Sequence, residues 1–129
     1  MPSPLRTDRR SWSVAICSQK EWRASELDYG NGRRLELARA AAAGPDFLLL
    51  DEPTSGMSDS ESIDMIAQVR TMAELIGAGV VVIDHDLNFI TGICDRVYVL
   101  DQGRVIAEGS PAEISNNPLV LAAYLGEKA

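Results

Sequence analysis

Four apolar residues, Phe47-Leu48-Leu49-Leu50, run straight into Asp51-Glu52 and are stopped by Pro53. A run that is apolar at every position suits a strand buried on both faces of a parallel sheet, the layout of α/β domains. Val80-Val81-Val82-Ile83 is a second such run, β-branched throughout its core, and it ends at Asp84-His85-Asp86. Ligands of parallel sheets collect at the carboxyl ends of the strands, where Asp51 and Glu52 emerge. Two adjacent carboxylates there can divide the work, one holding a magnesium ion and the other orienting or deprotonating a water. A strand end with two solvated acids is the plainer reading of the same residues, and what surrounds them decides between the two.

Helical signals alternate with these strands. Arg33 to Ala43 is rich in Leu, Ala, Arg and Glu, and Gly44-Pro45 ends it. Ser58-Asp59-Ser60-Glu61 has the spacing of a capping box and predicts a helix to about Ile76, stopped by Gly77 and Gly79. A helix around 87–93 leads to a strand over 96–100. The turn Asp101-Gln102-Gly103 then folds back into 104–108, a hairpin at the end of the sheet. Ser110-Pro111-Ala112-Glu113 is another capping box with proline at the first helical position. Asn117-Pro118 opens a last helix ending near Leu125-Gly126, with the apolar positions of 121–125, like Cys94, expected in the core.

Composition narrows the field. The 129 residues are 46% apolar and 24% charged, which suits one soluble globular domain with a real core. No apolar run approaches the roughly 20 residues needed to cross a bilayer. Met1-Pro2-Ser3-Pro4-Leu5-Arg6 opens no secretory h-region. Cys17 and Cys94 are too far apart for a metal-ligand spacing, so reduced thiols are expected. A net charge of -7 argues against nucleic acid as a partner. Five basic residues against two acidic ones give residues 1–24 a balance of +3, and the rest carries -10. Both tryptophans, Trp12 and Trp22, lie in that first segment, which shows no sustained period. Residues 1–26 are therefore expected to be a poorly ordered or differently built leader, with the domain proper at 27–129.

From Leu27 onward the motifs resemble, in order and at family spacing, the nucleotide-binding subunits of ATP-binding cassette (ABC) transporters. Within them the branched-chain amino-acid importer ATPases are the most similar. Asp28-Tyr29-Gly30-Asn31-Gly32 with the following helix is similar to the family signature. Leu48 to Pro53 resembles the Walker B strand and its glutamate, and Thr54-Ser55-Gly56-Met57-Ser58 sits where the D-loop belongs. Ile83-Asp84-His85-Asp86 resembles the switch-histidine loop. The tail from Cys94 through Glu108-Gly109 to Ala123-Tyr124-Leu125-Gly126 is similar to the importer subgroup, and less so to lipopolysaccharide-export ATPases.

The resemblance implies ATP and Mg2+ as cofactors, with Asp51 as the metal residue. It implies Glu52 as base or water-positioner and His85 as the contact to γ-phosphate and attacking water. Asp28, Tyr29, Gly30 and Asn31, with the backbone N–H groups opening the next helix, would face nucleotide held by an opposite subunit. Ser55 and Gly56 would join that contact. The implied partners are a second ATPase subunit, packed head-to-tail, and transmembrane permease subunits. The implied place is the cytoplasm, peripheral to the inner face of the plasma membrane, and the work is powering amino-acid import by ATP hydrolysis.

Two departures qualify these expectations. A phosphate-cradling loop needs G-x-x-x-x-G-K-[ST], and the two lysines, Lys20 after Gln19 and Lys128 after Glu127, do not follow glycine. Asp28 stands where the family has serine, which puts a carboxylate where a partner's γ-phosphate should rest, and like charges repel. The expected fold is thus the C-terminal half of a P-loop NTPase core: a largely parallel sheet flanked by helices, then a hairpin and helices. By itself such a chain, read as the product of a truncated gene or of a longer reading frame, is expected to bind ATP poorly and hydrolyse it little, if at all. It is also expected to leave its apolar strands partly uncovered, inviting self-association or docking on another cassette. A noncatalytic module that docks on a complete cassette and an inactive product are the competing expectations.

Overall fold

Capping chemistry decides where the helices begin. In the computed structural model, which describes residues 23–128, a short 3-10 turn at Ala24–Glu26 is followed by α1, Tyr29–Ala42. Its N-cap is Asp28, whose carboxylate accepts the Asn31 N–H at 2.8 Å. The helix therefore starts four residues ahead of the expected Arg33, because a capping side chain outweighs the poor propensity of Gly30 and Gly32. Strand β1 is Phe47–Asp51, α2 is Asp59–Ile76 and β2 is Gly79–Ile83. The expected capping box opens α2: the Ser58 N–H donates to Glu61 Oε2 at 2.7 Å and the Glu61 N–H to Ser58 Oγ at 3.4 Å. Then come α3, Leu87–Ile93, β3, Val97–Asp101, β4, Arg104–Gly109, α4, Pro111–Ser115, and α5, Pro118–Lys128. Most of the 1–26 leader lies outside the described residues.

Strands β1 and β2 pair with each other. The Gly79 N–H donates to the Asp46 carbonyl at 2.9 Å and the Glu52 N–H to the Ile83 carbonyl at 2.7 Å. Both chains advance in the same direction between these bonds, so the pair is parallel, as expected. The hairpin does not extend this sheet. Strands β3 and β4 form a second, antiparallel, two-stranded sheet. Asp101 pairs with Arg104 around Gln102-Gly103, and both loop residues have positive φ (47° and 77°), the mirror-image turn that matches strand twist. Val99 faces Ala107 while Leu100 faces Val105, so Ile106 is an extra residue and a bulge resets the alternation.

The contacts divide the chain into two compact units: residues up to Leu49 with Ala67–Val81, and Leu50–Ile66 with Val82 onward. In the first, Leu37, Leu48, Val69 and Met72 are buried. In the second, Ile90, Val97, Ile114 and Val120 form the core, with Val82, Leu87, Cys94, Val99 and Ala107 packed against it. Cys94 is thus a half-buried thiol packed against the core rather than within it, short of the core position expected. Burying each of these larger side chains contributes roughly 1.5–3 kcal/mol. Gly92 of α3 lies so close to α2 that an added Cβ would stand 2.8 Å from Ile66 Cδ1.

One further expectation about burial is corrected and another holds. Val120, not the stretch after it, is the core residue of α5; Leu121 and Leu125 are exposed. The all-apolar strands are covered on one face only: Leu48 is 2% exposed, while Phe47 and Leu49 are 65% and 77% exposed, and Val81 and Ile83 are also open. Apolar residues at every position require cover on both sides, and the described elements supply it on one.

Candidate functional site

The second unit brings Glu52 and His85 together at the ends of the parallel strands. His85 Nδ1 lies 3.8 Å from Glu52 Oε1 and 3.7 Å from Asp84 Oδ1. Both Glu52 and His85 side chains face solvent, at 57% and 72% exposure. Glu52 has φ 46°, in the left-handed region that a side chain disfavours. It is held there because its N–H continues the β ladder onto Ile83 while its carbonyl accepts the Ser55 N–H at 3.2 Å. Strain of about 1–3 kcal/mol of this kind, kept up by surrounding bonds, tends to mark sites where a side chain must be aimed. Next, the Met57 N–H donates to the Thr54 carbonyl at 3.0 Å, and Gly56 sits at φ 77°. Ser55 and Gly56 thus lie in a tight double turn directly after Glu52.

Asp51, the last residue of β1, is exposed beside Glu52. Among the described residues no three His, Cys, Asp or Glu side chains cluster to hold a metal alone. That donor set still fits magnesium, which keeps several waters and takes one or two carboxylates plus substrate phosphates rather than an all-protein cage.

The first unit holds the other candidate residues. Asp28 Oδ1 accepts the Asn31 N–H and Asp28 Oδ2 accepts from Asn31 Nδ2 at 3.1 Å. The N-terminal end of α1 is therefore capped by the chain's own carboxylate. Arg33 donates to the Tyr29 hydroxyl from Nε and Nη2, at 3.3 and 3.0 Å, and to Glu36 at 3.0 Å. The Tyr29 hydroxyl first, and then Glu36, raise its guanidinium pKa further. Gly30 and Asn31 form the first turn of α1.

Two residues beside the Glu52–His85 pair were missed by sequence reasoning: Thr54, which is buried, and Asp84, whose side chain is completely buried. The signal for Asp84 is an acid that closes a fully apolar strand, directly before His85.

The chain is similar to known proteins in sequence and in fold. Residues 104–129 match a family model described as "Branched-chain amino acid ATP-binding cassette transporter". Over 114 residues the chain is 42% identical to the high-affinity branched-chain amino acid transport ATP-binding protein LivG of Salmonella typhimurium, covering 88% of this chain and 45% of that protein. It is 38% identical over 109 residues to the lipopolysaccharide export system ATP-binding protein LptB of Acidithiobacillus ferridurans, covering 84% of this chain and 45% of that one. The solved ATP-binding cassette MJ1267 superposes with a TM-score of 0.75 at 26% identity, over 85% of this chain and 45% of that structure. The fold and these likenesses together define part of a P-loop NTPase of the ATP-binding cassette class. Within that class the chain belongs with the ABC transporter ATPases, on the side of the branched-chain amino-acid group. It spans a little under half the length of the curated relatives it matches.

Proposed function

We propose that these residues form the hydrolytic part of an ATP-binding subunit that powers amino-acid import. The juxtaposition of Glu52 and His85, both solvent-facing at the ends of parallel strands, carries this reading. Glu52 orients the attacking water and draws off its proton. His85 would contact the same water and the transferred phosphate, a role supported by its Nδ1 lying 3.8 Å from Glu52 Oε1. Asp51 would hold magnesium, through water, and the ion would supply neutralisation of charge on the phosphates. Ser55 and Gly56 would face a second ATPase subunit, with permease subunits on the cytoplasmic face of a membrane. Among the described residues no helix is long and apolar enough to cross one. Import of branched-chain amino acids rests on likeness to LivG and on the match at 104–129.

These 129 residues hold no GK[ST] sequence, so the phosphates must be cradled by other residues. Equilibrium dialysis with Mg-ATP is the test: the 129 residues alone should show no saturable binding, and joining them to a GK[ST]-bearing half of a LivG-type relative should restore it. Saturable binding by the 129 residues alone would overturn this division of labour. The capping of α1 by Asp28 favours a second reading, a noncatalytic module that docks on a complete cassette. Association with such a cassette, lost on altering Ser55–Ser58, would select it.

A further inference from the structure

Asp84 carries its carboxylate with no solvent exposure, and none of the chemistry proposed above uses it. Each oxygen is committed. Oδ2 accepts the Thr54 N–H at 3.2 Å and the Thr54 hydroxyl at 2.8 Å. Oδ1 accepts the Asp86 N–H at 3.0 Å. Asp86 in turn caps α3, accepting the N–H groups of Asn88 and Phe89 at 2.9 and 3.2 Å, and Phe89 is fully buried. A continuous line of bonds therefore runs from the turn after β1, through Asp84, into a helix anchored in the core. Glu52 lies two residues before Thr54, at strained φ, and His85 directly follows Asp84. The exposed Glu52 and His85 side chains make no contact tight enough to hold each other at 3.8 Å. The Glu52 N–H bond to the Ile83 carbonyl ties the strand ends, and the Asp84 bonds to Thr54 tie the turn that follows Glu52.

We infer that Asp84 is a positioning residue, clamping the Glu52 turn to the His85 loop through Thr54 so that the two side chains are presented together. The inference rests on the ATPase reading for what the pair does, but not for whether the pair is held. A carboxylate is required because both oxygens face N–H donors. An asparagine there would turn its own NH2 toward either Thr54 or Asp86, and one bond would be lost whichever way it flips. Two charge-strengthened bonds from Thr54, one from backbone and one from side chain, resist separation better than a neutral pair.

His85 is the one histidine of the sequence, so its ring resonances identify themselves in an NMR spectrum of the full chain at a fixed pH. In the wild type, Glu52→Gln should displace the His85 ring resonances. In a Thr54→Val background, which leaves every charge near His85 in place, the same displacement should shrink by at least about twofold, as coupled sites behave when their link is cut. Thr54→Ser should restore it, since the hydroxyl bond returns. Asp84→Asn should shrink it likewise and supplies the test if Thr54→Val does not fold. An undiminished displacement in folded Thr54→Val and Asp84→Asn, or none in the wild type, would overturn the clamp. ATP turnover does not enter this readout, so the clamp and the ATPase reading fail separately.

Discussion

Glu52 combines exposure with a backbone angle that glycine adopts at no steric cost. Glu52→Gly is therefore expected to unfold at the same temperature as the wild type or slightly above it, by roughly 0.5–1 kcal/mol, even though a side chain is lost. A clear fall in melting temperature would show that the side chain, not the chemistry, holds the turn. Asp28 poses the converse case. Serine caps a helix about as well as aspartate, so Asp28→Ser should leave thermal stability within about 0.5 kcal/mol. It removes a negative charge from the end of α1, and phosphate affinity in an assembled cassette should rise, read by a Mg-ATP titration.

Elements respond to pH and to turn chemistry. The capping box of α4 lowers the pKa of Glu113 from its ordinary value of about 4.5, chiefly through the Ser110 N–H and then the Ser110 hydroxyl. A carboxylate with a lowered folded pKa contributes stability that is fully present above the unfolded value and lost as pH falls through the folded one. Glu113→Gln should accordingly flatten the stability–pH profile below about pH 4.5, lowering stability at neutral pH while approaching the wild type in acid, as checked by urea unfolding at several pH values. At the β3–β4 turn, Gln102 sits at φ 47°, which asparagine tolerates better, so Gln102→Asn should raise the melting temperature by a few degrees. The capping boxes, the proline at the start of α4 and the hairpin turn were all legible in the sequence because they are local. The bulge at Ile106 and the detachment of the hairpin from β1–β2 were not, since both depend on which strand a neighbour pairs with.

On the scale of the molecule, Glu52 and His85 were legible because each follows an apolar run whose parallel pairing brings strand ends together. Thr54 and Asp84 were hidden because only the folded turn shows which polar atoms meet out of water. The open faces of β1 and β2 were legible as well: the composition of Phe47–Leu50 asks for cover on both sides, half of a sheet was expected to leave its apolar strands partly uncovered, and Phe47, Leu49, Val81 and Ile83 are exposed. That exposed apolar surface should drive the 129-residue chain to associate with itself, read as a concentration-dependent mass in sedimentation. Leu49→Ser with Ile83→Ser should reduce it. The most direct test of the hydrolytic role given to the strand ends is single-turnover ATP hydrolysis by this chain joined to a GK[ST]-bearing half, wild type against Glu52→Gln. Loss of about 100-fold or more in the hydrolysis rate, with Mg-ATP binding kept, is the expected result. An unchanged rate would contradict it.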